Sequence, residues 1–150
     1  LQFLEEPSHT TRLCRMIARR FRDAGTEIVL ACGEGGLIVA YETARQLRAK
    51  VMWAQLAHGR LALAFPRGIS PGTRVLIVDD VLTTGGTIVA LKNVLGEFQA
   101  QLVGVAVVID RAENPLDFGS PFYACYEFRV PTYTPETCPL CHRGLPLTRP

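Results

Sequence analysis

The apolar positions of this chain fall into two kinds of run, and their alternation predicts its elements. Leu13, Ile17 and Phe21 recur every fourth residue, which puts them on one face of a helix of about four turns. Pro7-Ser8 offers its start, with Ser8 the candidate N-cap, and Gly25 its end. Arg12, Arg15, Arg19, Arg20 and Arg22 lie mostly off that face and read as its solvated side. Largely apolar runs then predict strands at residues 27–32, 51–56, 75–78, 102–110 and 122–130, those at 27–32 and 75–78 buried, that at 102–110 the most apolar and the last more aromatic. Between them, helical spacing recurs at 37–47 and 86–98. Residues 58–65 alternate weakly and read as a hairpin arm or a mobile loop. Residues 66–73 hold Pro66, Gly68, Pro71 and Gly72 and must be a turn-rich connection. Strands alternating with helices predict a single α/β domain over 1–150: a mostly parallel twisted sheet with helices on both faces. Its ends are an N-terminal helix within 1–25 and an irregular tail at 131–150.

Two stretches carry chemistry as well as pattern. Residues 75–87 read Val-Leu-Ile-Val-Asp-Asp-Val-Leu-Thr-Thr-Gly-Gly-Thr. Two charged carboxylates do not belong inside a buried sheet, so Asp79 and Asp80 are expected at the strand's carboxyl edge. Ligands bind at that edge in open α/β sheets. Gly85 and Gly86 allow a sharp turn, Thr83, Thr84 and Thr87 add hydroxyls, and the next helix offers free N–H groups. Together these make a phosphate cradle with two acceptors beside it. No Lys follows the glycines, so it is not a Walker loop. The second stretch, Cys32-Gly33-Glu34-Gly35-Gly36, is another glycine-rich turn between a strand and a helix. Two such turns at neighbouring strand ends suit opposite ends of one polyphosphate.

Composition narrows the classes. Of 150 residues, 48% are hydrophobic and 20% charged, which describes a globular chain with a real core. A net charge of +2 gives no reason to expect nucleic acid or an anionic membrane as partner. No apolar run approaches the roughly 20 residues of a membrane span, and no signal-peptide pattern opens the chain. The chain starts at Leu1 rather than Met, so its natural amino terminus is expected to be missing. Five cysteines without framework spacing suit the reducing cytoplasm. Cys14, Cys32 and Cys125 read as small core residues. Cys138-Pro-Leu-Cys141-His142 has the spacing of half a zinc site; with no second such pair, it reads as a surface turn rather than a metal or redox centre. Trp53, Phe122, Tyr123, Tyr126 and Phe128 belong in the core by default, with an interface as the alternative.

Residues 75–87 resemble the PRPP-binding signature of type I phosphoribosyltransferases. The resemblance implies that Asp79 and Asp80 hold the ribose hydroxyls. It also implies that Val81, Leu82, Thr83, Thr84, Gly85, Gly86 and Thr87 wrap the 5′-phosphate. Gly33, Glu34, Gly35 and Gly36 take the pyrophosphate by the same token. Three further stretches resemble orotate phosphoribosyltransferases: the helix at 36–47, the strand at 103–111 ending in Asp110-Arg111, and the tail at 135–146. From these, Arg111 is expected on the orotate carboxylate and Thr83 at the base or phosphate. A planar guanidinium grips a carboxylate bidentately, which makes chemical sense of that assignment. The resemblance implies transfer of 5-phosphoribose from PRPP to orotate or another nucleobase, releasing pyrophosphate. It implies Mg²⁺ brought by PRPP near Asp79 and Asp80 rather than a protein-only metal site, and a homodimer.

The chain departs from that family's pattern in places. A Glu-Lys pair usual at the strand end before the catalytic loop reads Gln55-Leu56 here, and the loop at 57–67 has no Lys. His58, Arg60 and Arg67 are its only possible cations, so His58 and Arg60, with Asp80, are the expected catalytic groups. The base-binding hood is reduced or missing from these residues. The alternative function is a catalytically weakened PRPP- or nucleotide-binding regulatory homologue.

Overall fold

A computed structural model describes residues 2–57, 59–129, 131, 133, 134 and 136–145. After a 3-10 turn at Gln2–Leu4, the elements run α1 (Pro7–Arg20), β1 (Ile28–Cys32), α2 (Gly33–Leu47), β2 (Lys50–Ala57), β3 (Arg60–Leu63), β4 (Arg74–Leu82), α3 (Gly86–Glu97), β5 (Gln101–Asp110) and β6 (Phe122–Glu127). The tail contains one more 3-10 turn, Cys141–Arg143. The six strands form one sheet in the order β3-β2-β1-β4-β5-β6. Every neighbouring pair is parallel except β2–β3, an antiparallel hairpin at the edge. Residues 58–65 are thus the hairpin arm of the two alternatives, apart from His58, which lies outside the described residues.

Alternate side chains of the central strands feed two cores. Ile28, Leu30, Val75, Ile77, Val105 and Val107 point to the face covered by α3. Val29, Ala31, Leu76, Val78, Ala106 and Val108 point to the face covered by α1 and α2. Helix α3 seals its side with Ile88, Leu91, Val94 and Leu95, each aliphatic side chain contributing roughly 1.5–3 kcal/mol when fully buried. Helix α1 buries Cys14, Ile17 and Ala18 and leaves Arg12, Arg15 and Arg19 exposed, as its spacing predicts. Phe21, just past its end, packs closely on β5: a Cβ at Gly104 would stand 2.2 Å from the Phe21 ring.

Four local expectations change. The N-cap of α1 is Glu6, with Pro7 in the first turn, so Ser8 is helical and caps nothing. A proline there costs the helix no hydrogen bond, which is why the start moves upstream. Helix α2 begins at Gly33 rather than at 37, so the expected glycine turn is itself the first helical turn. Strand β6 ends at Glu127, short of 130. Strand β4 runs on to Leu82, four residues past the apolar run, because its backbone stays in register with β5: Asp79 faces Val107 and Leu82 faces Asp110.

Candidate active site

The chain leaves β1 through α2 toward β2, and leaves β4 through α3 toward β5, on the other side. The two helices lie on opposite faces. The crevice at the carboxyl ends of adjacent β1 and β4 is therefore the topological switch point, the usual ligand position in such sheets. Both glycine-rich stretches open into it.

On the β4 side, Asp79 does not stand clear of the sheet. It is 8% exposed and inside the strand. Its Oδ1 accepts the Asp80 backbone N–H at 3.0 Å. Burial, and then the Asp80 carboxyl hydrogen-bonded beside it, push the Asp79 carboxyl up to about 7. A buried carboxyl that is close to neutral is tolerated where a fixed charge is not, which explains why the strand continues through it. Asp80 points the other way along the pleat and is half-exposed.

Beyond Leu82 the chain turns. Gly85 is the N-cap of α3 at φ +78, a conformation that favours glycine. A Cβ there would also lie 2.8 Å from Leu116. The side chains of Thr83, Thr84 and Thr87 are exposed, and Thr84 Oγ1 approaches the Gly86 N–H at 3.5 Å. The first-turn N–H groups of α3 have no carbonyl partner within the helix and face a cleft of about 30 Å³ lined by Asp79 and residues 81–88.

On the β1 side, Gly33 takes φ +76 and α2 starts at once. Gly35 and Gly36 are buried, and Glu34 is exposed. A Cβ at Gly36 would stand 2.9 Å from Asp79 Oδ1 and 3.4 Å from the Ala31 Cβ. Gly36 therefore sets how closely the helix lies on the acidic pair, a role that its place in a glycine run only half discloses.

Arg111 follows β5 and is tied to the site by backbone: its N–H donates to Leu82 O at 2.8 Å. Asp110 is buried and accepts the Ala112 N–H at 2.9 Å, which fixes the bend. The exposed Arg111 side chain lines a hollow of about 570 Å³ with Thr83, Thr84 and Leu116. It also lines a second, of about 630 Å³, with Tyr126 and Phe128. These two aromatics are 58% and 64% exposed, so they are neither core nor buried, and sequence pattern alone did not place them beside Arg111. Leu116 and Phe118, behind Gly85, were likewise missed; they lie in an irregular segment with no periodic signal.

The structure thus brings together Asp79, Asp80, residues 81–87, residues 33–36 and Arg111. It does not bring Arg60 to them. The Arg60 guanidinium lies 3.8 Å from Glu97, the last residue of α3. Its start, at the cleft, is about 16 Å away at 1.5 Å per residue. Leu56 is 76% exposed near the end of β2.

Residues 2–130 match the phosphoribosyl transferase domain model. The chain belongs to the phosphoribosyltransferase family. It is 36% identical to the orotate phosphoribosyltransferase of Desulforamulus reducens over 149 residues, 99% of this chain and 78% of that protein. It is 37% identical to the orotate phosphoribosyltransferase of Carboxydothermus hydrogenoformans over 147 residues, 97% of this chain and 77% of that one. The phosphoribosyltransferase fold recurs in the adenine phosphoribosyltransferase of Thermoanaerobacter pseudethanolicus, with a TM-score of 0.70, 16% identity and 83% of each chain covered. The Trypanosoma brucei adenine phosphoribosyltransferase, solved with AMP, pyrophosphate and ribose-5-phosphate, gives a TM-score of 0.68 at 18% identity, covering 82% of this chain and 66% of that one. At such identities the structural likeness speaks for the fold.

Proposed function

We propose that this chain transfers 5-phosphoribose from PRPP to orotate with release of pyrophosphate. The observation that carries the reading is the convergence at the switch point of two helix N-termini, an acidic pair and Arg111. It is supported by relatives named orotate phosphoribosyltransferase at 36% and 37% identity.

In this reading the N–H groups and hydroxyls of residues 81–87 hold the 5′-phosphate. Asp79 and Asp80 accept from the ribose hydroxyls, and the first turn of α2 takes the pyrophosphate on its N–H groups. Carboxylates beside the sugar favour the cationic, oxocarbenium-like character that develops as the bond at C1 breaks. Arg111 pairs with the orotate carboxylate, and Tyr126 and Phe128 bound the same space.

The family implies Mg²⁺. Asp79 and Asp80, adjacent on β4 beside the cleft, would help to hold an ion that PRPP brings on its own oxygens. When bound it neutralises charge on the leaving pyrophosphate. Within its own chain Arg60 pairs with Glu97, far from the cleft, so its positive charge is proposed to serve the leaving group of the neighbouring subunit in a dimer. The expected catalytic partner His58 lies outside the described residues.

A homodimer is the proposed assembly, supported by exposed apolar side chains on α2 (Ile38, Tyr41) and on the hairpin and the segment after it (Leu56, Phe65). A cytoplasmic location is supported by five free cysteines. No helix among the described residues is long and apolar enough to cross a membrane.

The second reading is a regulatory homologue that binds PRPP or a nucleotide without turnover. The exposed Leu56 and the distant Arg60 favour it. Pyrophosphate release, followed with PRPP, Mg²⁺ and each of orotate, uracil, adenine and hypoxanthine, decides between them. Release only with orotate is expected. PRPP binding with no release for any base supports the regulatory reading instead.

A further inference from the structure

The fold takes up three of the five cysteines. Cys14 is buried, its Sγ donating to Val39 O at 3.6 Å, and burial pushes its thiol up to about 11. Cys125 donates to Leu13 O at 3.6 Å and is pushed up to about 12 by burial. Cys32 is raised by burial and by the neighbouring Asp79. Thiols held protonated in this way are poor nucleophiles.

Cys138 and Cys141 differ from these. Both are half-exposed, in a tail turn closed by its own backbone: the His142 N–H donates to Cys138 O at 3.1 Å and the Gly144 N–H to Cys141 O at 2.9 Å. The turn is anchored upstream, where the Cys138 N–H donates to Thr134 O at 2.9 Å and Thr137 Oγ1 accepts the Thr134 N–H at 3.1 Å. Residues three apart across such a turn have Cα atoms within about 7 Å, a span a disulfide bridges. The backbone N–H groups of Cys141 and Leu140 lower the Cys138 thiol, while the neighbouring Cys138 sulfur raises Cys141. One sulfur is prepared to attack and the other to follow.

We propose that Cys138 and Cys141 form a reversible dithiol–disulfide site, with Cys138 the attacking thiolate and Cys141 the resolving thiol. The oxidant is a low-molecular-weight disulfide of the oxidised-glutathione class. Cys138 S⁻ attacks one of its sulfurs, breaks the S–S bond and expels one thiolate. Cys141, deprotonated, then attacks Cys138 Sγ in the mixed disulfide and expels the second. The protein loses two hydrogens and two electrons, and the small disulfide becomes two thiols. A metal centre is the weaker use of the same pair. Among the described residues no third ligand side chain joins it, and the His142 ring is engaged, its Nε2 donating to Glu136 O at 2.7 Å. A structural zinc site takes four ligands.

The test uses the full chain in mixtures of reduced and oxidised glutathione, quenched with an alkylating reagent and mapped by mass spectrometry. The Cys138–Cys141 peptide is expected to lose the mass of two hydrogens, and to resist alkylation, at a poise where Cys14, Cys32 and Cys125 are still reduced. Cys141→Ser is expected to trap Cys138 as a mixed disulfide with glutathione, and Cys138→Ser to leave Cys141 slow to react. Three results overturn the proposal: stoichiometric zinc that survives gel filtration and blocks alkylation, a pair that oxidises only together with the other three cysteines, or equal trapping in the two variants.

Discussion

Asp79 occupies a position where a charge is costly. Its carboxyl is pushed up to about 7, first by burial and then by Asp80. Between its ordinary range near 4 and that value, the folded chain binds a proton that the unfolded chain has lost. Unfolding free energy from this group therefore falls as pH rises through that window and stays low above it. Asp79→Asn keeps a hydrogen-bond acceptor for the Asp80 N–H and removes the charge. The variant is expected to melt with the wild type near pH 4 and above it near pH 8, at roughly 2–4 °C per kcal/mol recovered. Its affinity for PRPP is expected to fall. Paired calorimetric scans over pH check the first point, and equal melting curves at pH 8 would show that the group is already ionised without cost. Arg111 supports a prediction of a different kind. Losing a charge-assisted hydrogen bond costs about 1.5–3 kcal/mol, so Arg111→Ala should raise the orotate KM roughly 10- to 100-fold. The PRPP KM should hardly move. Steady-state kinetics read both, and an unchanged orotate KM would remove Arg111 from the base site.

The elements hold the site by close approach. Helix α1 and strand β5 meet through Phe21 and Gly104, where a Cβ would lie 2.2 Å from the ring. Gly104→Ala should cost roughly 1–3 kcal/mol through overpacking. Combining it with Phe21→Ala should cost less than the two single losses added, since the methyl enters the space the ring leaves. Denaturant melts of the four proteins measure this, and strict additivity would mean that the two residues do not share a contact in solution. This contact also marks what the sequence could not disclose. Strand and helix order was legible because period and length are local properties. The extension of β4 was not, since the ladder to β5 carries Asp79 and Leu82 along regardless of their polarity. Nor was the start of α2 at Gly33, because glycines that suit a turn also fit a helix's first turn.

At the scale of the whole molecule, the site arises from connectivity. Helical connections that leave the parallel strands β1 and β4 toward opposite sides open one crevice, and the chain places its glycines, acids and threonines there. Their place at the crevice was legible because acids end an apolar run and glycines mark a sharp turn between strand and helix. The pairing of Arg60 with Glu97 had no local signal, and neither did Tyr126 and Phe128 beside Arg111; both depend on how distant segments pack. Turnover is the property on which the functional reading turns. Phosphorus NMR of the protein with PRPP, Mg²⁺ and orotate follows it without a coupling enzyme. Pyrophosphate and a nucleoside 5′-monophosphate should appear together in equal amounts as PRPP declines, and neither should appear without the base. A PRPP spectrum that the protein broadens by binding, yet that yields no pyrophosphate with orotate, would contradict an orotate phosphoribosyltransferase.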